Sequence, residues 1–277
     1  MNDYSYLLVG GDKIQEYLYN LLMKKKNKVE KIFLNDNHDI NENINKISSA
    51  DVIVLPIPSS TDGTTLFAPL YSERVSLNLI IEEINKNAIL FTGGENGIFT
   101  SSKAQRIVNL LADEAMTLKN AMATAEAALE IIINNTNHTI FKSNILVIGY
   151  GRIAKILTEY LLALKAKVQV CARKETARAE AELSGAEAFG FDKLIERLDS
   201  FDIIINTVPA PILMEKELKN VNKSALIVDL ASKPGGVDFN IADYLKIKTI
   251  HALSLPGKYS PKTAAEFIQT AINNTLI

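Results

Sequence analysis

The chain has 277 residues, 47% of them hydrophobic, and its 30 basic and 32 acidic side chains give a formal net charge of −2. That length holds one large domain or two of ordinary size, and the balanced charge excludes a broad basic surface for nucleic acid. The one cysteine, Cys171, excludes an internal disulfide and points to a reducing compartment, and no run of about 18 apolar residues marks a membrane span. The first residues carry neither a basic n-region nor a long apolar stretch, so no signal peptide is expected and the chain reads as cytoplasmic.

Tyr6-Leu-Leu-Val9 is a short strand closed by Gly10-Gly11. Asp12 suits the N-cap of a helix with Ile14, Tyr17, Leu18 and Leu21 on one face. The lysine run from Lys24 to Lys28 is a solvated helix end before a strand at Val29 to Leu34. Asp51 to Leu55 is a third strand, a helix lies within Leu66 to Asn85, and Ala88 to Phe91 is a fourth strand ending at Gly93-Gly94. Residues 104–134 are almost free of Gly and Pro and read as helix, broken near Asp113, with Leu118, Met122, Ala125, Leu129 and Ile132 at helical spacing.

The second half repeats the alternation. Strands are predicted at Ile145 to Ile148, Ala166 to Cys171, Ala186 to Phe191, Phe201 to Thr207, Ala225 to Leu230 and Lys248 to Ala252, and a final helix at Pro261 to Asn274. Alternating strands and helices argue for parallel sheets covered on both faces. The chain thus reads as α/β with two domains. An N-terminal flavodoxin-like parallel sheet spans 1–118. A linker helix and a C-terminal Rossmann dinucleotide-binding domain span 119–277, and the last helix, about 261–277, packs back on the first domain.

The segment Ile145-Leu-Val-Ile-Gly149-Tyr150-Gly151-Arg152-Ile153-Ala154 has the strand, glycine turn and helix of a dinucleotide site. Gly149 permits the turn, Gly151 admits the pyrophosphate because it has no Cβ, and Ala154 sets helix–strand packing. The helix N-terminus offers N–H groups and partial positive charge. At the end of the next strand an NAD site carries Asp or Glu for the ribose hydroxyls. This chain has Ala172-Arg173-Lys174 there, so Arg173 and Lys174 favour the 2′-phosphate of NADP. A solvated start to the following helix reads the same residues equally simply.

Ligands of such sheets sit outside the carboxyl ends of the strands. That rule nominates Thr207, Val208 and Pro209 beside the nicotinamide ribose, or else an ordinary turn. It also nominates Ala231-Ser232-Lys233 ahead of Gly235-Gly236, with Lys233 either binding a carboxylate or merely solvated. His251, near the end of the last strand, is either a general acid or base or a satisfied core histidine. His38 and His138 fall in Asn-rich turns and read as surface residues, and no cluster has metal-ligand spacing. Ser59, Ser60 and Thr64 sit in a hydroxyl-rich loop that suits an anion or is simply flexible. Cys171, at a strand end, reads as an inert small apolar residue.

Val208-Pro-Ala-Pro211, Asp229-Leu-Ala-Ser-Lys-Pro-Gly-Gly236, His251-Ala-Leu-Ser-Leu-Pro-Gly-Lys258 and Pro261-Lys-Thr-Ala264 together resemble the family of dipicolinate synthase A subunits. Thr124-Ala-Glu126 and Leu8-Val-Gly-Gly-Asp12 fit as well, although Ala127 stands where that family suggests glycine. The C-terminal half is also similar to the cofactor domain of 2-hydroxyacid dehydrogenases. The resemblance implies NADP-dependent oxidation of dihydrodipicolinate, a small dicarboxylate, to dipicolinate in the mother cell of a sporulating bacterium. It also implies a partner, the flavoprotein-like B subunit. A homo-oligomer of this chain is expected as well. On that reading Lys233 and Lys258 hold one carboxylate of the substrate, Ser59, Ser60 and Thr64 hold the other, and His251 takes the ring proton. The alternatives are another dehydrogenase of the 2-hydroxyacid type, or a non-catalytic nucleotide-binding subunit that activates a partner.

Overall fold

The computed structural model describes residues 4–25, 28–35, 39–94 and 97–276. The expectation for His38 lies outside the described residues. The chain divides into two compact units, residues 1–120 with 257–277, and residues 121–256.

In the first unit the elements run β1 (Tyr6–Val9), α1 (Lys13–Met23), β2 (Val29–Ile32), α2 (Ile40–Ile47), β3 (Val52–Val54), α3 (Leu77–Glu83), β4 (Ile89–Thr92) and β5 (Arg106–Asn109), and then α4 (Glu114–Asn135) begins. The five strands are parallel in the order β2-β1-β3-β4-β5, a flavodoxin-like order. Strand β1 is buried at every residue. Its Leu7 and Val9 enter the core on one face, while Tyr6 and Leu8 enter the core on the other. This two-residue alternation with apolar residues on both sides is what a sheet covered on both faces requires.

The second unit continues with β6 (Asn144–Ile148), α5 (Arg152–Ala163), β7 (Lys167–Cys171), α6 (Glu175–Leu183), β8 (Glu187–Phe189), α7 (Leu194–Arg197), β9 (Ile203–Asn206), α8 (Glu215–Leu218), β10 (Leu226–Asp229), α9 (Phe239–Tyr244) and β11 (Lys248–His251). All six strands are parallel, in the order β8-β7-β6-β9-β10-β11, which is the Rossmann order 3-2-1-4-5-6. Ile145 and Val147 face one core and Leu146 and Ile148 the other. The chain closes with α10 (Leu255–Tyr259) and α11 (Pro261–Leu276).

The structure departs from the sequence expectations in several places. Residues 106–109, expected as helix, form the edge strand β5, paired with β4 from Arg106↔Ile89 to Asn109↔Thr92. None of the four is fully buried, so their apolar pattern carries no clean period. Helix α4 starts only after Asp113, whose carboxylate accepts the Met116 N–H at 2.9 Å. Helix α2 has no counterpart among the expected elements, because its Ile40, Ile44 and Ile47 are diluted by asparagines. In α1 the Asp12 cap holds, accepting the Ile14 N–H at 2.9 Å. Its buried face is Ile14, Gln15, Leu18 and Leu22, with Tyr17 exposed. Gln15 is tolerated there because its amide donates to the Val54 carbonyl at 3.1 Å.

Helix α11 packs on α1 and joins the core of the first unit through Ala264, Ala265, Ile268, Ala271 and Ile272. Small residues let the helix approach closely. Ala265 is fully buried, so Ala265→Leu should lower stability by about 1–3 kcal/mol through overpacking, read as a fall in Tm. Burial, aided by the nearby Asp192, pushes the Cys171 thiol up to about 12. The reactive thiolate therefore forms only above ordinary pH. Native protein at pH 8 should not react with a thiol reagent, whereas one equivalent should react after denaturation.

Candidate functional site

The turn between β6 and α5 has the geometry that the glycine motif demands. Gly149 has φ +92°, and a Cβ there would lie 2.5 Å from Thr207 Oγ1 and 2.8 Å from Val208 Cγ2. Glycine is thus required twice, by conformation and by the close approach of the β9 end. Thr207 holds that approach: its N–H and its hydroxyl both donate to the Ile148 carbonyl, at 3.0 and 2.9 Å. Gly151 is the N-cap of α5 with no side-chain cap, and a Cβ there would meet nothing within 4 Å. Open space in front of the N-terminus of a 12-residue helix fits an approaching phosphate. Ala154 is fully buried in the core of the unit, as the third motif position requires. Ile153 is half-buried and Arg152 exposed. Tyr150 turns aside, its hydroxyl 3.1 Å from Ser184 Oγ at the end of α6.

Arg173 and Lys174 follow β7 and are exposed. No hydrogen bond or ion pair engages either side chain among the described residues. Both cations are therefore available to an anion. The turn that presents them is held by Arg178, which no sequence motif marks. Its Nη1 donates to the carbonyls of Ala172 and Arg173 at 3.0 and 2.9 Å.

Along the carboxyl edge of the sheet, Ile148, Asn206, Asp229 and His251 stand side by side in one row of the register. Asp229 and Asn206 are fully buried. Asp229 accepts from Asn206 Nδ2 at 2.8 Å, from the Ala231 N–H at 3.1 Å and from the Gly236 N–H at 2.8 Å. Asn206 also spans Val208, accepting its N–H at 3.1 Å and donating to its carbonyl at 3.0 Å. In the sequence this pair shows as a polar residue closing each aliphatic strand, Ile-Ile-Ile-Asn206 and Leu-Ile-Val-Asp229.

His251 is half-buried, stacked on Phe239 with ring centroids 4.8 Å apart. Its Nε2 lies 3.2 Å from the Ala231 carbonyl. A carbonyl only accepts, so Nε2 donates in this bond. Ala231 is buried, whereas Ser232 and Lys233 are exposed on the loop beyond it, and no hydrogen bond or ion pair engages the Lys233 ammonium among the described residues. Pro209 is also exposed.

The expected anion loop of the first unit is built differently. Ser59 is fully buried, donating to the Pro56 carbonyl at 3.1 Å and accepting the Gly93 N–H at 2.7 Å. The hydroxyls of Ser60 and Thr64 both donate to Asp62, each at 3.1 Å. Asp62 also takes the N–H groups of Thr64 and Thr65, which hold its carboxyl well below the usual carboxylate range. The loop has already captured a carboxylate of its own, and its three hydroxyls have no proton left for another anion. In this arrangement the hydroxyls of Ser59, Ser60 and Thr64, expected at a substrate carboxylate, are bonded within the loop itself. Lys258 is exposed on α10 and His138 is exposed after α4. Among the described residues no group of His, Cys, Asp and Glu has the arrangement of a metal site, and no helix is long and apolar enough to cross a membrane.

Comparison with known proteins places this geometry. A family model for the N-terminal domain of the dipicolinate synthase A subunit matches residues 5–129, and one described as shikimate/quinate 5-dehydrogenase matches residues 132–253. The dipicolinate synthase A subunit of Bacillus subtilis is 31% identical over 230 residues, covering 82% of this chain and 77% of that protein. The crystal structure of the dipicolinate synthase A subunit from Bacillus halodurans superposes with a TM-score of 0.86 at 27% identity, over 99% of this chain and 98% of that one. A D-isomer-specific 2-hydroxyacid dehydrogenase from Lactobacillus delbrueckii, solved with NAD, shares the fold at TM-score 0.58 and 14% identity, over 98% and 97% of the two chains. The second unit is a dehydrogenase-type Rossmann domain consistent with NAD(P), and the chain belongs to the family of dipicolinate synthase A subunits.

Proposed function

We propose that this chain is the subunit of a dipicolinate synthase that oxidises dihydrodipicolinate to dipicolinate with NADP⁺, in the mother cell of a sporulating bacterium. The observation that carries the reading is the likeness to dipicolinate synthase A subunits over most of the chain. The substrate loses two hydrogens, one as hydride and one as a proton, and its ring becomes aromatic. Bound nicotinamide supplies the hydride acceptor.

The residues of this chain supply binding, charge and proton transfer. The open helix end at Gly151, with Gly149, Tyr150, Arg152 and Ile153, would hold the pyrophosphate. Arg173 and Lys174 would neutralise the 2′-phosphate, and the absence of Asp or Glu at that strand end removes the repulsion an acidic residue would bring. Thr207, Val208, Pro209, Ala231 and Ser232 line the strand ends where the nicotinamide half of a dinucleotide lies in this fold. Lys233, an exposed ammonium with no protein partner among the described residues, would take a substrate carboxylate, and Lys258 is a second candidate for that role. His251 would accept the ring proton at Nδ1, since Nε2 is committed to Ala231. We further propose that the chain forms a homo-oligomer and works with a flavoprotein-like B subunit.

Titration of NADP⁺ and NAD⁺ against the purified chain tests the cofactor. NADP⁺ should bind more tightly, and Arg173→Glu should abolish that preference; a preference for NAD⁺ in the wild type would overturn the 2′-phosphate assignment. Turnover of dihydrodipicolinate, followed as NADPH with and without the B subunit, tests the reaction. In that assay Lys233→Ala should lower kcat/KM roughly 10- to 100-fold and His251→Asn about a hundredfold or more. The Tm of Lys233→Ala should stay at the wild-type value, and wild-type turnover in either variant would remove that residue from the mechanism.

A further inference from the structure

Two loops carry the candidate chemistry at the ends of β9 and β10, residues 207–210, exposed at Pro209 and Ala210, and residues 231–236, exposed at Ser232 to Pro234. Neither is held by packing alone. The first is tied at Val208 by both ends of the Asn206 amide. The second is tied at Ala231, whose N–H goes to Asp229 and whose carbonyl faces His251, and again at Gly236, whose N–H returns to Asp229. Within that loop the Gly235 N–H closes a turn on the Ser232 carbonyl at 2.9 Å. Asn206 and Asp229 are joined to each other at 2.8 Å. One wholly buried carboxylate is therefore the common anchor of both loops.

The fit around it leaves no slack. A Cβ on Gly235 would lie 2.7 Å from Asp229 Oδ2 and 3.3 Å from His251 Nε2, at φ +90°. A Cβ on Gly236 would lie 2.3 Å from Asn206 Nδ2 and 2.7 Å from the Val208 carbonyl. The two glycines thus let the 231–236 loop lie directly on the Asn206–Asp229 pair. Asp229 itself is wholly buried beneath these loops.

We propose that Asp229, acting with Asn206, is the positioning residue for the nicotinamide half of the dinucleotide. It fixes the loops that bear Thr207, Val208, Ser232 and Lys233, and contributes nothing to the adenosine half, which is served by the glycine turn and Arg173. This inference rests on the cofactor reading above. Asp229→Asn keeps size and shape but replaces one acceptor oxygen by an NH₂ group. That group must face either the Gly236 N–H or the donors of Asn206 and Ala231, so a donor meets a donor and the loops shift.

The test uses two ligands of the intact chain. NADP⁺ spans both halves of the site, whereas 2′-phosphoadenosine 5′-phosphate occupies only the adenosine half. In Asp229→Asn the Kd for NADP⁺ should rise roughly tenfold or more, while the Kd for 2′-phosphoadenosine 5′-phosphate stays within about twofold of the wild type. Asn206→Ser removes the amide link yet leaves Asp229 its two backbone donors. It should show the same split in weaker form, and it answers the question if Asp229→Asn does not fold. Equal loss of both ligands, or wild-type binding of NADP⁺ in a folded variant, overturns the positioning role. A wild-type chain that binds neither ligand overturns the cofactor reading and this proposal with it, so the two failures are told apart by the wild-type titration.

Discussion

Asp229 is buried at the end of an all-aliphatic strand, with three N–H groups aimed at its two oxygens and no cation bonded to it among the described residues. A charge in that position is costly unless each oxygen is satisfied. The cost is offset by drawing in the backbone of residues 231 and 236 and the amide of Asn206, which is also how the carboxyl edge of the sheet acquires its shape. The aliphatic row beneath it makes this possible. Because β6, β9 and β10 are covered on both faces, polar groups find room only where the ladder stops.

The two units solve the same problem of loop construction with opposite electrostatic results. In the second unit, carbonyls and a buried carboxylate consume backbone N–H groups, and among the described residues no ion pair engages the side-chain cations Arg173, Lys174 and Lys233. In the first unit, Asp62 consumes the side-chain hydroxyls as well. The hydroxyl-rich loop there is closed on its own Asp62, two residues from both Ser60 and Thr64. Hydroxyl count in a sequence says little about anion binding until the acidic residues in the same turn are counted against it.

Most of the fold was legible because strand alternation and the glycine motif are local signals. Leu7 and Val9 against Tyr6 and Leu8, or Ile145 and Val147 against Leu146 and Ile148, write the two faces of a sheet directly into the chain. Gly149 was legible as a turn, but its second role was not. The 2.5 Å approach of Thr207 Oγ1 to the place of its Cβ joins residues 58 positions apart. Strand β5 was hidden because an edge strand draws half its order from a neighbour, here β4, and leaves little apolar pattern of its own. Helix α2 was hidden because Asn43, although fully buried, reads as a loop residue. The contacts of Asp229 and Arg178 with the backbone were hidden for a related reason. Each acts on backbone atoms, and the partners of a backbone atom leave no trace in residue type.

Cys171 gives the chain a practical property. It is the only cysteine, it is fully buried, and the sequence contains no tryptophan. The protein is thus a ready background for spectroscopy. A single cysteine introduced at an exposed site such as Leu183 or Tyr244, which are 89% and 82% exposed, would be the one accessible thiol for a fluorophore or spin label. A single introduced tryptophan would be the sole indole emitter. Either probe would report on its own neighbourhood without first stripping the native chain of competing groups.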